Sequence, residues 1–476
     1  MMYNVNNKKY VPKFGKKGDF MNLKYNRLSI GSKEFVRDAE GNVSKVQVMR
    51  DIKPYDSEST SIFYRGVSNI DGRNGIKKGD IVYFKANNSR GVNYLGDTEE
   101  SKGSCEDVAE VLCFYILRAL KENTKGASVL VGTPYEFADY SHEDFWKMVK
   151  KQTGGLVESD RLYGCISKNV LDEDGIIIRG NTVLREIIPE TDVKKSSQNT
   201  LFNYANGYES MVKSFAENGQ ILHIHPVSNR YNANLIFFDY FTSNADRHCM
   251  NVCSQRTPIV DGSEFVLKPV SVLDNGGAFA MQSRNCEKMY AGQVEFLQRE
   301  GKLRETNLNE GYFNPFMVTY DFSAGKETFA NPELAAQYDE LSAVEQMIML
   351  ISQNKTLFND FKLMYNNLDV QKAMNDMRTE VRFPVSYGKD NNYLPGLPVV
   401  LMEAIRFKRE QVSKIMAKML GEEYSETKFE GNDNYYLEKF EKQLVQDDAL
   451  TIHIASDQEI KEFEESMKAK QEQKTF

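Results

Sequence analysis

Apolar residues come in short alternating bursts early in the chain and then give way to runs with a helical repeat. Residues 61–64 and 80–85 are β-like runs. In the second, Ile81, Tyr83 and Lys85 fall on one face and Val82 and Phe84 on the other, the period of two that a strand imposes. Gly66, Gly72, Gly75 and Gly79 punctuate the stretch between them. From Glu106 to Leu120, Val108, Ala109, Leu112, Cys113, Ile116, Leu117 and Leu120 recur at helical spacing, with Ser104 placed to cap the helix. Residues 127–131 read as a strand and 134–137 as a further extended segment, so the first 140 residues read β-β-helix-β-β. Residues 1–55 are polar and rich in Lys and Asn, and read as an arm with one hairpin around Glu40-Gly41-Asn42.

Helical patterns dominate the rest. Residues 207–217 and 235–244 read as helices, and 266–273 as short strands. Beyond residue 330 the patterns at 334–354, 355–377 and 398–419 predict helices, the last after the breaker Tyr393-Leu394-Pro395-Gly396. The final stretch is rich in Glu, Lys and Gln and reads as a solvated helix or a frayed tail. The best apolar run, 235–241, contains Asp239 and falls far short of the roughly 18 residues that span a bilayer. No membrane partner is expected, and the lysines near the N-terminus lack the apolar core of a secretory signal.

Composition narrows the field. With 476 residues, 41% of them hydrophobic, the chain can bury a sizeable core. Its 60 Lys and Arg against 68 Asp and Glu give a net charge of -8, so nucleic acid is not an expected partner. Six sparse cysteines fit a reducing, cytoplasmic compartment better than a disulfide scaffold. His248, Cys249 and Cys253, with His223-Ile224-His225 nearby, lack the C-x-x-C pairs of a zinc site, and Cys165 has no clear base partner. The lysines of residues 8–25 read as a solvated tail.

One stretch points to chemistry: Asn244-Ala245-Asp246-Arg247-His248-Cys249-Met250-Asn251, then strand-like residues ending in Val272-Leu273-Asp274-Asn275-Gly276-Gly277. Phosphoryl transfer from ATP needs a carboxylate to orient the nucleophile and an amide oxygen and second carboxylate to hold Mg²⁺. It also needs a lysine for the phosphates, steadied by a glutamate on a helix. Kinase loops supply the first two as Asp-x-x-x-x-Asn, followed by a strand pair and Asp-x-Gly. Asp246, Asn251 and Asp274 reproduce that order. Upstream, Lys85 closes a strand, and Glu106 and Glu110 both lie on the next amphipathic helix. Each element alone is commonplace; the combined order is not.

At these residues the chain resembles the HipA-like serine/threonine kinases of the protein-kinase-like superfamily. The resemblance rests on the two stretches above with Ala278-Phe279, on Tyr83-Phe84-Lys85-Ala86, on Ala109-Glu110-Val111-Leu112 and on Gly164-Cys165-Ile166-Ser167-Lys168-Asn169-Val170. It implies an α+β, two-lobed protein-kinase-like fold: an arm over 1–55, a mixed β N-lobe over 56–190, a largely helical C-lobe over 191–420 and a helical or flexible tail over 421–476. It implies ATP and Mg²⁺ as cofactors and transfer of the γ-phosphoryl group to a protein Ser or Thr hydroxyl, the chain's own included. Asp246 would be the catalytic base, Asn251 and Asp274 the metal ligands, and Lys85 the phosphate contact, with Glu110 rather than Glu106 as its partner. His248 and Arg247 would brace the loop. A protein substrate and an antitoxin-like protein are the implied partners. No G-x-G-x-x-G precedes Lys85, and residues 1–60 lack the N-terminal subdomain of HipA toxins. The loop is also similar to that of phosphatidylinositol kinases, so a lipid or small-molecule kinase stays open, as does a non-catalytic nucleotide-binding module. The presence of Lys85, Asp246, Asn251 and Asp274 together argues against the last.

Overall fold

The structure, a computed structural model, describes residues 28–31, 33–37, 42–55, 63–72, 74–86, 106–140, 162–170, 175–188, 201–244, 246–260, 262–281, 286–303, 329–330, 332–338, 341–380, 397–444 and 450–472. A six-stranded sheet occupies the N-terminal part. Its strands are β1 (Leu28–Ser29), β4 (Met49–Pro54), β5 (Phe63–Ser68), β6 (Ile81–Ala86), β7 (Tyr135–Tyr140) and β8 (Leu162–Lys168), in the order β1-β7-β8-β6-β5-β4. Neighbours run antiparallel except β1 and β7. β2 (Lys33–Arg37) and β3 (Val43–Gln47) form a separate hairpin where the Glu40-Gly41-Asn42 turn predicts one; Glu40 and Gly41 lie outside the described residues, as does Ser104. β1 and β4 come from the stretch read as an arm, yet they pair into the sheet.

The alternation along β6 sorts its side chains. Val82, Phe84 and Ala86 pack with Tyr64, Ala138, Tyr140 and Ile166 in one apolar cluster. The other face meets α1 (Glu106–Asn123), whose Val108, Leu112 and Leu120 join Tyr135, Phe137 and Cys165 in the main core. Lys85, opposite Cys165 in the ladder, is delivered to this second face. Residues 127–131 correct the expectation of a strand. Ala127 N–H and Ser128 N–H turn back to Thr124, and Val131 contributes its carbonyl to Val272, with only an isolated bridge at Gly132.

A second sheet, in the order β10-β12-β11-β9, comprises β9 (Ile176–Arg179), β10 (Ile221–Ile224), β11 (Cys253–Val260) and β12 (Glu264–Pro269). Helices dominate around it: α2 (Gly180–Arg185), α3 (Leu201–Glu217), α4 (Val227–Thr242), α5 (Cys286–Glu300), α6 (Pro332–Tyr338), α7 (Ala343–Ser352), α8 (Lys355–Asn367), α9 (Val370–Glu380), α10 (Leu397–Met419), α11 (Glu426–Gly431), α12 (Tyr435–Glu441) and α13 (Asp457–Glu472). The whole is a mixed α+β arrangement, largely antiparallel sheet first and helical later. No described helix is long and apolar enough to cross a membrane.

Two helical expectations break where polar caps intervene. The 334–354 pattern splits because Ser342 and Glu345 form a capping box that starts α7. The 355–377 pattern splits at Leu368-Asp369, where the Asp369 side chain accepts the Lys372 N–H. α4 starts eight residues earlier than its apolar run. Its first turns carry Arg230 and Asn234, which are buried because both bond Asp360 on α8, the arginine through two donors at 2.7 Å.

α13 corrects the frayed alternative for the tail. It is a helix without a single buried residue, held by charge: Glu464 to Lys268 at 2.8 Å, Asp457 to Arg230 at 2.5 Å, and Lys470 to Glu264. Phe463 meets the edge of His225 with ring centroids 5.1 Å apart.

Two predictions follow from these contacts. A Cβ at Gly164 would lie 2.0 Å from the Lys85 carbonyl oxygen, so Gly164→Ala forces β8 from β6 and costs about 1–3 kcal/mol in urea unfolding. Burial, with Lys268 assisting, depresses His225 to about 4, against about 6.5 in an unfolded chain. Its contribution is therefore present above pH 6.5 and is lost as pH falls from about 6.5 to about 4. His225→Gln flattens the stability profile across that window by roughly 2–3 kcal/mol, read by denaturation at each pH.

Candidate active site

Lys85 is the hub. Its Nζ lies 2.9 Å from Glu110 Oε1 and 2.6 Å from Asp274 Oδ1, and 4.0 Å from Glu106 Oε2. Glu106 and Glu110 sit four residues apart on α1 and so share one face, turned to the sheet. Glu110 is fully buried, and its second oxygen accepts the Asn275 N–H at 2.8 Å. Burial alone would pull the lysine down; Asp274, Glu110 and Glu106 together hold its pKa well above the ordinary value. The Glu110 carboxyl is raised, chiefly by burial. Burial works on Asp274 in the same direction, but the Lys85 charge outweighs it and leaves that carboxyl below its usual range.

The loop after α4 owes its shape to the helix end. Ser243 adopts a left-handed conformation (φ 50°), and Asn244 N–H returns to the Asp239 carbonyl. Asn244 Oδ1 then accepts the Asp246 N–H at 3.1 Å. Asn251 Nδ2 donates to the Asp246 carbonyl at 2.8 Å, closing the loop through the amide nitrogen. His248 caps the short turn Cys249–Asn251: its Nδ1 accepts the Met250 N–H at 3.2 Å, and its Nε2 lies 3.9 Å from Asp246 Oδ1. The Asp246 side chain is half exposed, and its pKa is raised by burial first and then by the neighbouring charge of Asp274.

Arg247 joins this loop to the one bearing Asp274. Its side chain is fully buried. It donates to Asp239 through Nε at 3.0 Å and Nη2 at 3.2 Å, to Asn275 Oδ1 at 2.7 Å, to the Leu273 carbonyl at 2.5 Å and to the Asn251 carbonyl at 3.3 Å. Two neighbours permit the approach. A Cβ at Gly277 would lie 2.8 Å from both Asn244 Oδ1 and Asp246 Cβ, and one at Gly276 would lie 3.3 Å from Lys85 Nζ. Asp274 itself has φ 52°, a left-handed conformation that non-glycine residues hold only where surroundings enforce it.

The structure thus brings Glu110 and Asp274 into direct contact with Lys85 and ties the Asp246–Asn251 loop, through Arg247 and the close approach of Gly277, to the segment that carries this aspartate. Glu106 also faces the lysine, so both glutamates left open by the sequence belong to the cluster, Glu110 the closer. Sequence reasoning missed Asn244, Asn275 and Asp239 as supports. The signal for Asp239 was present: a lone carboxylate inside the most apolar run of the chain. Among the described residues, no group of three or more His, Cys, Asp or Glu is arranged to hold a metal ion. An Asn–Asp pair completed by phosphate oxygens and water needs no such group.

No protein-family model matches the sequence, and no curated protein matches it. Among solved structures, the chain is similar to one described as a Helicobacter pylori proinflammatory kinase, CtkA. The two are 10% identical with a TM-score of 0.34, over 80% of this chain and 99% of that one.

Arg247→Ala leaves the buried Asp239 carboxylate without its cationic partner. It should cost about 3–5 kcal/mol in equilibrium unfolding. A loss below about 1 kcal/mol would mean that the guanidinium is not the tie between the two loops.

Proposed function

We propose that this chain is a HipA-like kinase that uses ATP and Mg²⁺ to phosphorylate Ser or Thr hydroxyls on proteins, its own among them. The observation that carries the reading is the charge imbalance at the hub. Lys85 is shared among Glu106, Glu110 and Asp274, Asp274 lies close enough to Asp246 to help raise its pKa after burial, and the nearby Arg247 is paired with Asp239. A cluster with more carboxylates than cations suits a divalent ion that in turn holds a polyphosphate.

The side chains divide the work. Asp246, half exposed with a raised pKa, suits accepting the proton of an incoming hydroxyl. The Asn251 amide oxygen and the Asp274 carboxylate would hold Mg²⁺, which when bound offsets charge on the phosphoryl oxygens. Lys85, steadied by Glu110, can turn its remaining donor capacity to the phosphates, since an ammonium has three donors. The backbone tie from Asn275 N–H to Glu110 keeps lysine, glutamate and aspartate in one register.

Asp246→Ala and Asp274→Ala should each lower transfer of label from γ-labelled ATP by roughly 10²–10⁴-fold while the circular dichroism spectrum is retained. Phosphoamino-acid analysis of the labelled product should yield phosphoserine or phosphothreonine. Label entering phosphoinositides or small alcohols instead would move the chain to the lipid or small-molecule class. Unchanged labelling in both variants overturns the assignment.

A further inference from the structure

We infer that Thr133, in the connection between α1 and β7, is a positioning residue for Asp274. Its hydroxyl is buried and donates to the Val272 carbonyl at 3.0 Å, and its backbone N–H reaches the same oxygen at 3.4 Å. Val272 N–H donates to the Val131 carbonyl at 2.8 Å, so a parallel bridge centred on Gly132 binds both backbone groups of Val272, two residues ahead of Asp274. The connection is seated on α1. A Cβ at Gly132 would lie 3.2 Å from the Cα and ring of Phe114 and 3.3 Å from Leu117 Cβ.

Asp274 is therefore held from both sides. Upstream, Thr133 and Val131 grip Val272. Arg247 takes the Leu273 carbonyl on that same side, and downstream Glu110 takes the Asn275 N–H while Arg247 takes the Asn275 side chain. α1 serves both grips, since it carries Glu110 and supports Gly132. A left-handed aspartate needs such enclosure, because its backbone would relax if either flank were released. At Val272 the Thr133 hydroxyl supplies a side-chain hydrogen bond beside the backbone bridge. Its effect on catalysis rests on the kinase reading; the grip itself does not.

The test compares Thr133→Val, which keeps the branched shape and removes the hydroxyl, with Thr133→Ser, which keeps the hydroxyl. In the full chain, amide hydrogen exchange at Asn275 should rise at least about tenfold in Thr133→Val, stay near wild type in Thr133→Ser, and remain unchanged in β6 and β8 of both. The Mg²⁺ concentration for half-maximal phosphoryl transfer should rise roughly tenfold in Thr133→Val, with the maximal rate held within about threefold. Wild-type exchange at Asn275 in the valine variant, or a serine variant as perturbed as the valine one, overturns the inference. If wild-type protein transfers no phosphoryl group, the kinase reading falls while the exchange result still decides the grip.

Discussion

A lysine ammonium removed from water stays charged only where carboxylates replace its hydration, and the site is organised around that requirement at Lys85. The lysine and its partners come from three separate stretches of chain: the strand that carries it, the helix bearing Glu106 and Glu110, and the loop bearing Asp274. None could move far without leaving a buried charge uncompensated, which is far costlier than losing an exposed ion pair. Sheet, helix and loop are thereby held in one arrangement by a single cation.

Arg247 answers the same problem with different geometry. It must satisfy Asp239, two backbone carbonyls and the Asn275 side chain at once. Only a planar group with five donors in a fixed fork can do so; a lysine at this position could not span the set. The residue that follows the proposed base in sequence is thus spent on architecture, with Asp239 as its charge partner.

What could be read from the sequence was what depends on local repetition. The alternation of Ile81 to Lys85 and the helical spacing from Val108 to Leu120 are imposed by the elements themselves, so strand, helix and the face of Lys85 were legible. The order of Lys85, Glu110, Asp246, Asn251 and Asp274 was legible because spacing survives in one dimension. Hidden features depended on contacts between distant segments. The early turns of α4 fell outside the apolar run that marks the helix, because Asp360, the partner that buries them, lies 130 positions from Arg230. Residues 127–131 have the composition of a strand, but the turn at Thr124 and the pairing with Val272 claim their backbone. The choice between Glu106 and Glu110 could not be made from helical phase, since four residues return to the same face.

The β11–β12 hairpin sets how far apart Asn251 and Asp274 stand along the chain. Ser254 lies opposite Pro269, and Val270 N–H donates to the Cys253 carbonyl, so both strands begin and end side by side at the site. The 23-residue interval between those two residues is then a measure of strand length, not of chemistry. Lengthening both arms equally would push the tip outward by about 3.3 Å per added pair and leave the paired roots where they are.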